Sequence, residues 1–384
     1  MKSRYGSSFG YGILVFAGVT TIALVFACTP KQKNTFSEKS WDIQVAQTSS
    51  ADLYAPHVKD GRFFAPWMPM PDKSFLDVIW WKLFSRTDYT KQEQNFLPAV
   101  LPNTALGLAQ TTGDFILWIG HNTFLIRINN TYWLTDPIFS RRALIPARVT
   151  PPALTLEEFT LLVPEMNIII SHNHYDHLDR ATMKKLPRNA PVFVPLGLKT
   201  MVEKMNKQVV HEMDWWEEYN AGKGFRLICL PAQHWSQRIN QGRNRSLWAS
   251  WLLITPEVTL YFGGDSGYFK GFKEIGRRFP GIDYAFMATT AYHPRWFMAY
   301  NHMNIPEAVQ GFADLNARYF IPTQWGTFLL GDEPAGYPGL DLSRYITDNH
   351  LDASRFRIMD IGQILPLEPE VTRKKKLINS SKNL

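Results

Sequence analysis

The chain has 384 residues, 45% hydrophobic and 14% aromatic, a globular composition that excludes a disordered or fibrous protein. Its formal charge is +7, but residues 1–27 hold +2 and residues 371–384 hold +5, so the body between them is neutral. That neutrality, with no repeated basic and aromatic pattern, argues against nucleic acid as a partner, and two cysteines cannot build a disulfide framework.

The first element in chain order is an apolar run, ILVFAGVTTIALVFA (13–27), behind Lys2 and Arg4. It suits the core of a signal peptide and falls short of the usual membrane-spanning length. It ends at Cys28, and the whole resembles a bacterial lipoprotein signal: residues 1–27 as the leader, Cys28 as the lipid-bearing residue and Thr29 behind it. The resemblance implies a membrane-attached protein of the cell envelope, an outer-membrane lipoprotein facing the periplasm or exterior. The competing reading is an uncleaved signal anchor. Residues 28–60 are polar and read as a tether. With Cys28 lipidated, only Cys229 remains, in the apolar run FRLICL, where it reads as a small buried hydrophobe. At the other end, residues 371–384 form a basic tail, read as a solvated terminus or a contact to anionic lipid.

Residues 61–370 contain no repeat or clean linker and read as one domain, with room for two similar halves. Apolar runs rich in β-branched and aromatic residues predict strands at 114–120, 123–129, 132–136, 167–171, 191–195, 225–231, 246–255, 258–264, 284–289 and 318–322. Helices are expected at 178–187, 199–206, 271–278 and 304–315, the last opened by Asn304 and Glu307 as a capping pair. This mixture predicts an α/β fold. LDVIWWKLF (76–84) reads as a segment packed on the core rather than a lipid contact.

Chemistry-bearing residues follow four of these strands. HNHYDHLD after the fourth supplies His172, His174, Asp176 and His177; AQHW supplies His234; Asp265 follows VTLYFGG; Gln324 follows RYFIPT. Sites in layered α/β folds form where loops leave the carboxyl ends of strands. His172 and His174 lie two apart at a strand end and can point the same way. Asp176 and His177 begin the next turn, so one loop can serve two metals. Imidazole and carboxylate suit zinc, and a pair of zinc ions can share a hydroxide and clamp a phosphate or carbonyl. Gly263–Gly264 lacks the glycine spacing of a dinucleotide site.

The HxHxDH loop resembles the metallo-β-lactamase superfamily. GRFFAPW (61–67), WIGHNTFLI (118–126), LTDPIFS (134–140), SHNHYDHLD (171–179), PAQHW (231–235), FGGDSGY (262–268), YHPRWFM (292–298), HMNIPEA (302–308) and QWGTF (324–328) are similar, in order, to the N-acyl-phosphatidylethanolamine-hydrolysing phospholipase D branch and its bacterial relatives. That resemblance implies a four-layer αββα sandwich, two zinc ions and hydrolysis of N-acylated or other glycerophospholipids by a metal-bound hydroxide. It places His172, His174 and His234 on one zinc, Asp176 and His177 on the other, and Asp265 between them. Catalytic roles fall to Asp176, Asp265 and His302. His121 and Asp136 read as supports beneath the site, and Arg295 as a phosphate contact or a brace.

Two positions depart from the family pattern. Gln324 stands where the family has a histidine completing the second site, and His293 stands in place of a glutamate. Three outcomes stay open: Gln324 coordinates through its amide oxygen, His293 replaces it, or the second site is empty. Lactone, β-lactam or thioester hydrolysis by the same fold, and a catalytically impaired lipid- or metal-binding lipoprotein, are the alternative functions.

Overall fold

The computed structural model describes residues 36–84 and 87–367, so the leader, Cys28 and the basic tail lie outside the described residues. Contacts divide the chain after Trp41. The described part of the first unit holds the start of a helix, Glu38–Ala46. All strands among the described residues belong to the second unit, from Asp42 onward.

A short hairpin, β1 (Val58–Lys59) and β2 (Arg62–Phe63), precedes two large sheets. The first contains β3 (Phe115–Gly120), β4 (Thr123–Ile128), β5 (Thr131–Thr135), β6 (Asn167–Ile169), β7 (Val192–Pro195) and β8 (Val210–Met213). The second contains β9 (Glu218–Gly222), β10 (Phe225–Leu230), β11 (Ser250–Ile254), β12 (Thr259–Phe262), β13 (Tyr284–Ala288) and β14 (Tyr319–Thr323). A last strand, β15 (Ile364–Pro366), returns to pair with β3. The orders are β15-β3-β4-β5-β6-β7-β8 and β14-β13-β12-β11-β10-β9.

The two sheets follow one plan. β3, β4 and β5 are joined antiparallel, and β5 through β8 run parallel. Likewise β9 through β12 are antiparallel, and β12 through β14 parallel. Parallel neighbours require crossovers. Helices Leu156–Leu162, Arg180–Lys185 and Lys199–Glu203 supply them in the first sheet, and Gly271–Arg278 and Ile305–Asp314 in the second.

Alternation along the strands sets the layers, because successive side chains leave opposite faces. In the first sheet Leu125, Leu134, Ile168, Val192 and Val194 form one buried cluster with Phe159 and Met183 of the crossover helices. The intervening residues face the other sheet: Trp133 stacks on Phe225 of β10 with centroids 6.3 Å apart, and Phe124 meets Phe286 of β13 edge-on at 4.9 Å. On the outer face of the second sheet Tyr261 packs on Phe272, and Phe320 on Phe312. Helix, sheet, sheet and helix thus stack in four layers, the αββα sandwich expected. Burial of each large apolar side chain contributes roughly 1.5–3 kcal/mol.

Each run read as a strand forms one, although the run 246–255 becomes regular only at Ser250. The expected tether is partly built into the fold. Residues 50–54 form a 3-10 turn with Leu53 buried, and the Tyr54 hydroxyl donates to Glu274 Oε1 at 2.7 Å. LDVIWWKLF lies in a helix, Phe75–Phe84; Trp81 is buried and its Nε1 donates to Asp332 Oδ1 at 2.7 Å. Cys229 is buried in β10, where burial pushes its thiol well above the ordinary range.

Candidate metal centre

Strand β6 delivers the densest loop. After Ile169 the chain leaves the sheet and turns back, with His177 N donating to His174 O at 3.2 Å and Leu178 N to the same oxygen at 2.9 Å. Asp179 then caps the helix Arg180–Lys185 by accepting from Ala181 N and Thr182 N, satisfying donors a helix start leaves unpaired. The turn brings His172, His174, Asp176 and His177 into one space. From β12 the chain passes close under this loop. Gly264 sits at φ +59°, and a Cβ there would fall 2.7 Å from Ser171 Cβ. Only glycine fits that approach, which sets Asp265 at the centre of the site.

The donor atoms form two clusters: His172, His174, His234 and Asp265 in one, and His121, Asp176 and His177 in the other, the atoms of each lying within 4.8 Å of one another. In the first, His174 Nδ1 is 2.8 Å from His172 Nε2 and 3.2 Å from His234 Nε2, and Asp265 Oδ2 is 3.5 Å from His234 Nε2 and 3.8 Å from His172 Nε2. In the second, His177 Nε2 is 3.3 Å from Asp176 Oδ2, and it also lies 3.2 Å from Asp265 Oδ1 of the first. Donors of a tetrahedral zinc site with bonds near 2.0–2.1 Å are separated by about 3.3 Å, so both spacings fit.

Hydrogen bonds on the far side of the rings fix which nitrogens face inward. His234 Nδ1 lies 3.2 Å from the carbonyl of Asn301, which can only accept, so its Nε2 carries a lone pair. The Ser171 hydroxyl donates to Asp136 Oδ2 at 2.6 Å and therefore accepts from His172 Nδ1 at 2.9 Å, leaving His172 Nε2 as a lone pair too. His177 Nδ1 is 2.7 Å from Asp136 Oδ2, and its Nε2 has no hydrogen-bond partner among the described residues. Buried lone pairs packed against one another and against carboxylates are costly. A cation between them removes that cost, so the residues present fit a metal pair.

Electrostatics agree. Burial, together with the charges of the neighbouring imidazoles, holds His172 well below the ordinary histidine value; burial lowers His234 likewise and pushes His174 down to about 4. Burial would raise Asp176 and Asp265, but His177 outweighs it and both are held well below the carboxylate range. His177 is the converse: burial opposes its charge, yet Asp265, Asp176 and Asp136 raise it well above the usual value. Neutral imidazoles and ionised carboxylates are the forms that bind metal, and His177 marks where three acids demand a positive charge.

The remaining positions sort by contact. Asp136 accepts from Asn122 Nδ2 at 2.9 Å and Ser171 N at 2.7 Å besides Ser171 Oγ and His177, so it orients two histidines without entering either cluster. Gln324 is fully buried at the end of β14 with φ +74°; its Nε2 donates to Asp265 Oδ1, and its Oε1 has no partner among the described residues. Neither cluster found among the described residues takes in His293, whose backbone N donates to Glu333 Oε2 at 3.1 Å. His302 lies ring to ring with His234 at 5.3 Å; its Nδ1 is buried without a partner among the described residues, and burial lowers its pKa. Arg295 is a brace: it donates to Glu307 Oε1 at 2.7 Å and to the His302 carbonyl at 3.2 Å. His121, read from the sequence as a support beneath the site, has its Nε2 3.1 Å from Asp176 Oδ2 and joins the second cluster. It stands alone in a turn, and no ligand spacing marks it.

A αββα sandwich with two donor clusters at the strand ends defines a class. Residues 131–325 match the β-lactamase superfamily domain, and the chain belongs to the metallo-β-lactamase superfamily. Within it, the chain is 34% identical over 281 residues to N-acyl-phosphatidylethanolamine-hydrolyzing phospholipase D 1 of Caenorhabditis elegans, covering 68% of this chain and 78% of that protein. It is 43% identical over 106 residues to outer membrane protein RomA of Klebsiella pneumoniae, covering 28% of this chain and 78% of that protein. A solved structure, a possible metal-dependent hydrolase from Veillonella parvula, shares the fold with a TM-score of 0.56 at 16% identity, covering 67% of this chain and 100% of that one.

Proposed function

We propose that the chain is a zinc-dependent phosphodiesterase of phospholipase D type, acting on N-acylated or other glycerophospholipids. The observation that carries this is the surroundings of the clusters. His174, Asp176, Asp265 and His302 line a cleft of about 520 Å³ whose walls include Trp81, Trp235, Phe297 and Met298. Ile145 and Ile239 line it as well, and they are 76% and 69% exposed. A charged floor under apolar walls suits an amphiphile with a phosphodiester at its polar end. The name of the nematode relative supports the same substrate class.

A bound zinc pair would supply an activated water and neutralise phosphoryl charge. The chain's own groups do the rest. Asp265 stands between the clusters and orients the attacking water, with Asp176 beside it. Water adds its oxygen to phosphorus, the bond to the headgroup oxygen breaks, and the headgroup leaves as an alcohol with a proton. His302, held neutral by burial, contacts the substrate from the cleft wall. Apolar walls keep bulk water out and strengthen these interactions. We place the enzyme at the cell envelope, tethered through lipid on Cys28, a placement supported by the partial likeness to RomA.

A second reading, a lipid-binding protein with impaired catalysis, is favoured by Gln324 at the family's histidine position. Zinc-loaded protein assayed on glycerophosphodiesters, aryl phosphodiesters, lactones and thioesters separates the possibilities. The highest kcat/KM is expected on phosphodiesters. A preference for lactones would overturn the proposal, and lipid binding without turnover would establish the second reading.

A further inference from the structure

We propose that His121 supplies the ligand that Gln324 does not, so that the second metal is held by His121, Asp176, His177 and Asp265. This rests on the two-metal reading of the site. Gln324 presents its Nε2 to Asp265 Oδ1, and an amide N–H has no lone pair to offer a metal.

His121 is arranged the opposite way. It occupies the turn between β3 and β4 at φ +53°, a left-handed conformation uncommon outside glycine. Three contacts hold it there: its backbone N donates to Thr327 Oγ1 at 2.8 Å, its carbonyl accepts from Gln324 N at 3.1 Å, and its Nδ1 lies 3.3 Å from the Gln324 carbonyl. A carbonyl only accepts, so in the neutral ring, the form that binds metal, Nδ1 carries the proton and Nε2 the lone pair. That lone pair is aimed at Asp176 Oδ2, 3.1 Å away and fully buried on the histidine side. A lone pair facing a carboxylate is repulsive unless a cation lies between them. The spacing repeats the 3.3 Å from His177 Nε2 to the same oxygen and the 3.2 Å from His177 to Asp265. Gln324 thus serves the second site through its main chain, fixing the His121 tautomer.

The test is metal per chain by mass spectrometry after zinc loading and desalting, on wild type, His121→Asn and Gln324→Ala. Asparagine tolerates the left-handed turn, and circular dichroism checks that each variant folds. The expected contents are about two, one and two zinc ions respectively. Two metals in His121→Asn would overturn the proposal and leave His121 as a hydrogen-bonding support. One metal in Gln324→Ala would overturn it by making Gln324 a ligand. One metal in wild type would defeat the two-metal reading itself. X-ray absorption on the wild-type metal pair needs no variant. It should count the imidazoles of His121, His172, His174, His177 and His234; a count without His121 contradicts the proposal.

Discussion

Two buried acids show what single residues contribute, one to the metal centre and one to stability. Asp136 enters neither donor cluster, yet its four hydrogen bonds set the rings of His172 and His177. Asp136→Asn keeps the shape and removes the charge that orients His177. Second-layer carboxylates of this kind typically affect metal affinity by about 10–100-fold, so competition against a chelator should show zinc held that much more weakly. Glu333 is the other acid. Burial pushes its carboxyl up to about 7, against the lowering effect of hydrogen bonds that include those from the backbone N–H groups of His293, Tyr292 and Ala291. Its folded pKa lies above the ordinary 4.5, so the folded state binds the proton more tightly. Stability therefore falls as pH rises from about 4.5 to about 7, by about 3 kcal/mol, and is flat above that window. Urea unfolding of chelated wild type and Glu333→Gln across this range isolates the effect, since the variant lacks this slope while the other groups are shared.

At the scale of elements, the site is a property of strand ends. The sequence reading located most of it because β6, β10, β12 and β14 are apolar runs that stop at metal-type residues. His121 was legible as a support beneath the site but not as a member of the second cluster, because that placement comes from a turn conformation and from a carbonyl over 200 residues away in sequence. The edge strand β9, EYNAG, escaped because it is mostly exposed and shows no apolar alternation. The helix Ile305–Asp314 was legible through its cap: Asn304 Oδ1 accepts from Glu307 N at 2.9 Å, and Glu307 Oε2 accepts from Asn304 N at 3.0 Å. Glu307 also pairs with Arg295, which holds the carbonyl of His302, so this cap anchors one wall of the cleft. Asn304→Ala should cost about 1 kcal/mol of stability in urea unfolding.

For the whole molecule, the repeated plan of the sheets explains the geometry of the centre. Each sheet changes from antiparallel to parallel pairing, at β5 in one and β12 in the other. Asp136 leaves the first sheet after β5, the histidine loop after its parallel neighbour β6, and Asp265 leaves the second after β12. The aromatic layer between the sheets, with Trp133, Phe193, Phe225, Phe124 and Phe286 in contact, keeps these ends aligned. Composition and periodicity predicted an α/β fold, but the pairing of β15 with β3 was not legible: three residues return from the far end of the sequence to close the sheet. The same architecture sets an apolar cleft above the paired clusters, from which the proposed activity follows. The most direct measurement of that activity is hydrolysis of N-acyl-phosphatidylethanolamine in mixed micelles, with products identified before chelation, after chelation and after zinc is restored. Phosphatidic acid and the free N-acylethanolamine are expected, lost with the metal and recovered with zinc; zinc-loaded protein that releases neither product would contradict the proposed activity.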